Sequence, residues 1–544
     1  MKKFTTLILL LFVITGSLLC QPTSWLIQFS DKKNNCFSLD NPAAFLSYDA
    51  LERRVRQGIP LDEKDLPVSE YYIKQLLEYN LDIKLISKWF NVVIVMPESQ
   101  RDIQAIIRLP FVKSLQTMSL PKGKTSDETS RKFGFSEVYS NVSKTDFEYG
   151  NSYLQNHIIR ADSLHKRNYT GQNIKIAVLD GGFMGTDTIA AFAALFHSGR
   201  LVGTRDFVTP GGSVYAHSGH GTAVLSQLGA NDPGNIIGTA PDASYYLLRT
   251  EDVYGEYLLE EYFWAAGAEY ADSAGVQIIN SSLGYSVFDN PEENHTYEEL
   301  DGQTTPVTLA AEIAASKGIL VISSAGNEGD GPWTYITAPA DAPNVLSIGA
   351  VNQQGEYASF SSVGPTADGR IKPDIAALGQ GNLVSTPTGG LSLSSGTSFS
   401  SPLIAGLAAC LMQACPEKTP AQLRTILRNT ASRANHPDSF LGYGIANGIS
   451  ALSHALIIHE NDPYIRVSIV PNPLQGVSRF SIKAEDQIIK IVMYDSTGAV
   501  FRPEIVHIYG SRAEVSFSCD ARRGMYMVFV YTKYSVSGHK ILFI

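Results

Sequence analysis

In the run Gly396-Thr397-Ser398-Phe399-Ser400-Ser401-Pro402, a glycine turn delivers a serine to the start of a small, apolar stretch, 403–409, that reads as a buried helix. A backbone N–H in the first turn of a helix has no carbonyl four residues back, and that end carries the positive pole of the helix dipole. Both features suit a nucleophile whose attack leaves a negative oxygen on the substrate. Pro402 fits a helix's first turn, where the missing N–H costs nothing. Taken alone, the same residues read as an ordinary Ser/Thr N-cap.

A serine hydroxyl is a weak nucleophile at neutral pH and needs a general base, a group that orients the base, and donors for the oxyanion. The chain offers a candidate for each. Asp180 closes the apolar run 174–179 and precedes Gly181-Gly182, so a carboxylate stands at the C-terminal end of a strand, a usual place for a functional side chain. His220 lies between Gly219 and Gly221 just before a run of small residues, where backbone can approach an imidazole closely. Asn327 ends the apolar run 319–322 through Ser323-Ser324-Ala325-Gly326, and its amide could donate beside the Ser398 N–H. Singly, Asp180 and Asn327 read as turn residues and His220 as a core histidine.

In the order Asp, His, Asn, Ser, these blocks resemble the subtilases, the subtilisin-like serine peptidases. The resemblance rests on Ala177-Val178-Leu179-Asp180-Gly181-Gly182, His220-Gly221-Thr222, Ser324-Ala325-Gly326-Asn327 and Gly396-Thr397-Ser398 through Pro402. The linking stretches Ile237-Gly238-Thr239-Ala240-Pro241, Ile279-Asn280-Ser281-Ser282-Leu283-Gly284 and Lys372-Pro373-Asp374-Ile375-Ala376-Ala377 extend it over 156–452. It implies a triad of Asp180, His220 and Ser398, an oxyanion donor in Asn327, and a strand Ser282-Leu283-Gly284 that pairs with the backbone of a protein or peptide substrate. It implies no required cofactor. Many subtilases hold calcium in the loop matching 231–235, but that loop is short here and offers few ligands, so a structural calcium stays open. One departure is Gly181: many subtilases carry Thr or Ser there, and glycine removes a hydroxyl that could bond the carboxylate.

The elements that must position these residues follow from periodicity. Apolar runs at 174–179, 244–249, 276–281, 318–323 and 345–351 alternate with helical stretches such as 257–274 and 308–317. Strands alternating with helices predict an α/β domain, a parallel sheet with helices on both faces, over 150–455. Three of the catalytic candidates then lie at strand ends or helix starts along one edge.

The rest of the chain sets the context. With 544 residues and 44% apolar content, the chain predicts several domains with real cores. A net charge of -10 without basic blocks argues against nucleic acid. Residues 1–20 read as a signal peptide, with Lys2-Lys3 before an apolar centre too short for a spanning helix. Cys20 raises a lipoprotein alternative, against which stands Leu19 in place of a small residue. Five cysteines show neither metal-ligand spacing nor a disulfide framework; Cys410 and Cys415 read as buried thiols, with a bridge between them as the alternative.

Residues 21–118 read as a small α+β unit, with strands at 24–29, 89–96 and 112–116 and helices at 43–57, 69–79 and 100–109. Its place ahead of a peptidase implies a propeptide, acting as an intramolecular inhibitor; a permanent accessory domain is the alternative. The polar linker 119–149 is where a maturation cut belongs. The insertion 289–303, with Glu292-Glu293 and Glu298-Glu299, reads as a solvated loop or as an attractor for basic substrates.

Alternating runs over 465–544 predict a β-sandwich. Pro471-Asn472-Pro473, Met493-Tyr494-Asp495 with Gly498, Gly524-Met525-Tyr526 and the terminal Lys540-Ile541-Leu542-Phe543-Ile544 resemble the sorting domain of the type IX secretion system. That resemblance implies the type IX secretion machinery as a partner, and a secreted or outer-membrane surface location on a Gram-negative, Bacteroidetes-type bacterium. A carbohydrate-binding or stabilising module is the alternative. The function expected is a secreted or cell-surface serine endopeptidase working through an acyl-enzyme, on many substrates or as a processing enzyme with one client. The competing reading is a catalytically inactive adhesin or binding protein on a subtilase scaffold.

Overall fold

A strand covered on both faces must be apolar on both, and the runs around Val178, Leu247, Ile279 and Val321 meet that condition. In the computed structural model they lie in one sheet. The structure describes residues 23–97, 100–119, 149–456 and 468–543, save 473, 475–478, 485–486, 496–499, 518–522 and 533–535. The expected signal peptide 1–20 and the linker, apart from Ser119 and Tyr149, lie outside the described residues, as does most of the turn at 495–498.

Seven parallel strands form the central sheet, in the spatial order Ile375–Leu378, Leu346–Val351, Leu320–Ser324, Ile278–Ser281, Lys175–Asp180, Ser244–Arg249 and Leu201–Asp206. Side chains alternate across it, as the period of two requires. Ile176 and Val178 join a core with the helices His220–Gly229 and Thr397–Ala414. Ala177 and Leu179 join a second core with the helices Leu259–Ser273 and Pro306–Ser316 on the other face. The strand order reverses at Lys175–Asp180, so a crevice opens outside the end of the strand that carries Asp180.

The expected strands and helices stand within a few residues of their predicted bounds, and Ser244–Arg249 matches at both ends. Strands Leu201–Asp206 and Ile375–Leu378 were not foreseen; they are the two edges of the sheet. The first contains Gly203, Thr204 and Arg205 and the second is four residues long, so neither presents a long apolar run.

The N-terminal domain is a four-stranded antiparallel sheet in the order Leu81–Ser87, Val92–Pro97, Thr23–Phe29, Val112–Ser119, with helices Tyr48–Gln57, Glu70–Leu76 and Gln100–Ile106. The predicted strand 89–96 begins only at Val92, because Lys84 to Ser87 belong to an unforeseen partner strand and 88–91 turn between the two. The C-terminal region carries two four-stranded antiparallel sheets that share one core, with Phe480, Ile482 and Val515 from one sheet against Met493, Val528 and Ile541 from the other. This is the predicted sandwich architecture.

Candidate active site

The helix Thr397–Ala414 starts where Gly396 takes φ 150°, a conformation that side chains rarely adopt. Ser398 is the second helical residue, so its N–H has no intrahelical acceptor. Pro402, expected in the first turn, lies instead one turn further in and kinks the bonding pattern, since it has no N–H for the Ser398 carbonyl. The Ser282 hydroxyl takes that place, donating to Ser398 O at 2.9 Å. In return the Ser398 hydroxyl donates to Ser282 O at 3.2 Å. The nucleophile candidate and the cleft edge are thus tied twice.

His220 opens the helix His220–Gly229, and its Nδ1 lies 2.9 and 3.0 Å from the two Asp180 carboxylate oxygens. Asp180 is fully buried and His220 is 4% exposed, so the pair works away from bulk water. The carboxylate fixes Nδ1 as the protonated nitrogen and leaves Nε2 as the basic one. Gly181 lacks a side-chain hydroxyl, and its backbone N–H donates to Asp180 Oδ1 at 2.7 Å. Gly221 is required by close approach, because a Cβ there would stand 2.4 Å from the Gly182 carbonyl oxygen.

Asn327 follows the strand Leu320–Ser324. Its Oδ1 accepts from the Thr397 N–H at 2.8 Å and the Thr397 hydroxyl at 3.0 Å. With the oxygen so held, the amide NH2 is left for a partner other than Thr397, and Asn327 and Ser398 line one cleft. Thr397 also accepts from the Gly326 N–H at 3.2 Å, so it clamps the turn that carries Asn327. Ser282, Leu283 and Gly284 line the same cleft of about 360 Å³ with His220, Asn327 and Ser398. The strand Ile278–Ser281 stops before these three residues, which have no ladder partner within the described residues; the carbonyls of Ser282 and Leu283 accept from the Ser398 and Ser324 hydroxyls at 3.2 and 3.3 Å. A larger cavity, about 610 Å³, lies away from this chemistry between the edge strands Leu81–Ser87 and Leu201–Asp206.

Three supporting groups were not foreseen. Arg249 is buried, paired to Asp206 at 2.9 Å, and donates to the Gly181 carbonyl at 3.2 Å behind Asp180. Burial, and then the Arg249 charge, lowers the pKa of the neighbouring His217. Glu251 lines the cleft and accepts from the Tyr285 hydroxyl, whose pKa burial and Glu251 raise well above the usual value. A charged residue closing an apolar strand was the available signal for Arg249.

Among the described residues, one group of three carboxylates is close enough to share an ion, Glu251, Glu256 and Glu260. In the loop 231–235, Asp232 instead accepts from the Asn235 amide at 3.0 Å. Cys410 and Cys415 are both free and buried, and burial pushes the Cys415 thiol up to about 12. The acidic insertion is engaged: Glu293 accepts from the Ser119 N–H at 2.8 Å and Asn290 donates to the Ser119 hydroxyl at 3.0 Å.

The family model of the subtilase family matches residues 171–444, and that of a peptidase S8 propeptide domain of Bacteroidota matches 24–132. Subtilisin NAT of Bacillus subtilis subsp. natto is 33% identical over 295 residues, covering 53% of this chain and 68% of the relative. Subtilisin of Bacillus pumilus is 32% identical over 295 residues, covering 53% of this chain and 94% of its own. Among solved structures, MycP1 with its N-terminal propeptide removed aligns at TM-score 0.44 and 24% identity over 55% of this chain and 96% of that one. The prenylagaramide maturation protease PagA aligns at TM-score 0.43 and 25% identity over 54% and 98%. Subtilases with a propeptide of the Bacteroidota class are typically exported. Nothing favours the inactive-scaffold reading, and the chain belongs to the subtilase family as a serine endopeptidase made with an intramolecular propeptide.

Proposed function

We propose that Ser398 is the nucleophile, His220 the general base, Asp180 the carboxylate that orients it, and Asn327 with the Ser398 N–H the oxyanion donors. The observation that carries this reading is the buried Nδ1 contact of His220 to both oxygens of Asp180. In the reaction, His220 Nε2 takes the Ser398 proton as Oγ attacks the scissile carbonyl, and Asp180 stabilises the imidazolium. The tetrahedral oxyanion is met by the Asn327 amide and the Ser398 N–H. His220 then gives its proton to the leaving amine, and water, activated the same way, releases the acyl group from Ser398. The place of Ser282-Leu283-Gly284 on the cleft wall, just past the end of a strand and outside any ladder, supports pairing with the substrate backbone.

The test is a fluorophosphonate label on the wild-type chain beside Ser398→Ala, Asp180→Asn and Asn327→Ala. Labelling of Ser398 that disappears in the alanine variant is the expected result; labelling that persists there would sink the assignment.

Residues 24–132 act in this reading as the inhibitory propeptide, cut within the polar linker 119–149. Intact mass followed over time should show the wild type shortening in that linker while Ser398→Ala stays whole. The domain 465–544 is read as the sorting domain for the type IX secretion machinery, which places the enzyme in the medium or on the outer surface of a Gram-negative host. The short motifs at 471–473, 493–498 and 540–544 and the self-contained sandwich core support this. Deleting 465–544 in a host with that machinery should hold the protein inside the cell, and undiminished export would refute it.

A further inference from the structure

A general base and a nucleophile carried on two different helices must keep their separation closely, since a misplacement of about 1 Å costs on the order of 10² in rate. His220 and Ser398 stand in the first turns of the helices His220–Gly229 and Thr397–Ala414, and Val224, Leu228, Leu403 and Leu407 pack those helices into one core. That packing fixes the two axes. What touches the first turns fixes the catalytic ends.

One element is joined to both helices. The antiparallel hairpin of Asn382–Ser385 and Leu391–Ser394 runs on through Ser395 and Gly396 into Thr397 and Ser398. Its first strand is bonded to the other helix: the Gln227 amide donates to Leu383 O at 2.6 Å, the Asn382 amide to Gln227 Oε1 at 3.3 Å, and the Ser385 N–H to the Ser226 hydroxyl at 3.0 Å. At the tip, the Thr386 N–H donates to Gly390 O at 2.8 Å and the Gly389 N–H to Thr386 O at 3.0 Å, closing the turn around Pro387. Pro387 lies against two glycines, Gly185 in the loop after Asp180 and Gly219 immediately before His220. At either glycine the three atoms nearest to an added Cβ all belong to Pro387, and a methyl would overlap its carbonyl at Gly185 and its ring at Gly219. Gly185 has a second reason to be glycine, its φ of +75°. Gly219 does not, because its φ of −91° is open to residues with side chains; what forbids one there is the Pro387 ring. A proline suits this place, since its ring fixes φ and has no freely rotating side chain to yield.

We infer that the hairpin 382–394 sets the general base against the nucleophile, and that Pro387 is the positioning residue through which its tip holds the loop after Asp180 and the start of the His220 helix. The inference rests on the proposed roles of Asp180, His220 and Ser398. Pro387 is not among the described residues that line the cleft, so it acts through Gly185 and Gly219 and not on the substrate. Its loss should therefore appear in kcat and spare KM.

The test uses the full chain, with a recognition sequence for an added site-specific protease placed within 121–132 so that processing does not depend on the activity being measured. The rate of fluorophosphonate labelling, and kcat and KM on a labelled protein substrate, are read well below the melting temperature of each variant, where a defect of stability alone leaves the folded enzyme at the wild-type rate. Gly219→Ala should label about a hundredfold more slowly, with kcat reduced and KM held. Pro387→Ala removes Cγ and Cδ and keeps Cβ, which would stand 3.7 Å from a Cβ at position 219, an ordinary contact. By itself it should slow labelling roughly three- to tenfold, and combined with Gly219→Ala it should recover at least about tenfold of the loss. Wild-type rates in Gly219→Ala, or a double variant no faster than Gly219→Ala, would overturn the inference and leave the labelled wild type, and the Ser398 assignment, standing. If Gly219→Ala does not fold, Pro387→Ala decides: slowed labelling with KM held supports the inference, and the wild-type rate overturns it. A wild type that takes no label would overturn the Ser398 assignment, and the inference with it.

Discussion

At the scale of the residue, the site divides into groups that react and groups that hold. Asp180→Asn keeps the shape but offers the imidazole an amide, so the wrong nitrogen carries the proton; kcat on a labelled protein substrate should fall on the order of 10⁴. Asn327→Ala removes one oxyanion donor and should cost about 10² to 10³ in kcat with little change in KM. A wild-type kcat in either variant would remove that residue from the mechanism. His295 gives a prediction about pH. It is held in the insertion 289–303 by Glu261 at 2.5 Å, with Glu299 and Asp341 also near. Burial lowers its pKa, but the Glu261 bond and charge outweigh that and leave it above the ordinary 6.5. A histidine raised on folding stabilises fully below 6.5, and that contribution is lost as pH rises through the raised value. The melting temperature of Ser398→Ala should therefore exceed that of Ser398→Ala with His295→Gln by more at pH 6 than at pH 9. A difference that is flat with pH would show that His295 is not charged in its socket.

At the scale of the element, Pro402 and Ser282 form a unit. The proline deprives the Ser398 carbonyl of its helical donor and the Ser282 hydroxyl replaces it. In a Ser398→Ala background, Ser282→Ala should destabilise by about 1–3 kcal/mol, the cost of an unmet buried acceptor. With Pro402→Ala present, the helix can supply its own N–H, and the same substitution should cost measurably less. Equal costs in urea unfolding would refute the coupling. This pair also shows where sequence stops being legible. Asp180, His220, Asn327 and Ser398 could be proposed from sequence because each sits at a change of pattern, a strand end or a helix start beside glycine. The Ser282 hydroxyl's role could not, because it depends on a contact 116 positions away and on where the helix begins relative to Pro402. Likewise Arg249 reads as a strand terminus, and only the fold brings Asp206 and Gly181 to it. Edge strands such as Leu201–Asp206 escaped for a different reason: a strand covered on fewer sides has less need of the continuous apolar run that marks the central ones.

At the scale of the molecule, the two flanking domains are attached in opposite ways. The N-terminal sheet contributes side chains to a core of the central domain, so separating them would expose a continuous apolar surface. Among the described residues, the C-terminal sandwich has a core drawn from 474–541 alone. Units that share a core unfold together, whereas a unit with its own core can unfold by itself. Calorimetry of the full-length Ser398→Ala chain should therefore resolve two transitions, one for 465–544 and one for the N-terminal and central domains together. Removing 465–544 should delete the first and leave the second where it was. If the remaining transition shifted down or split in two, the division into a welded propeptide and a detachable sandwich would be wrong. If it held its place, the same asymmetry would explain how one end of the chain can be lost without cost to the peptidase while the other remains part of it.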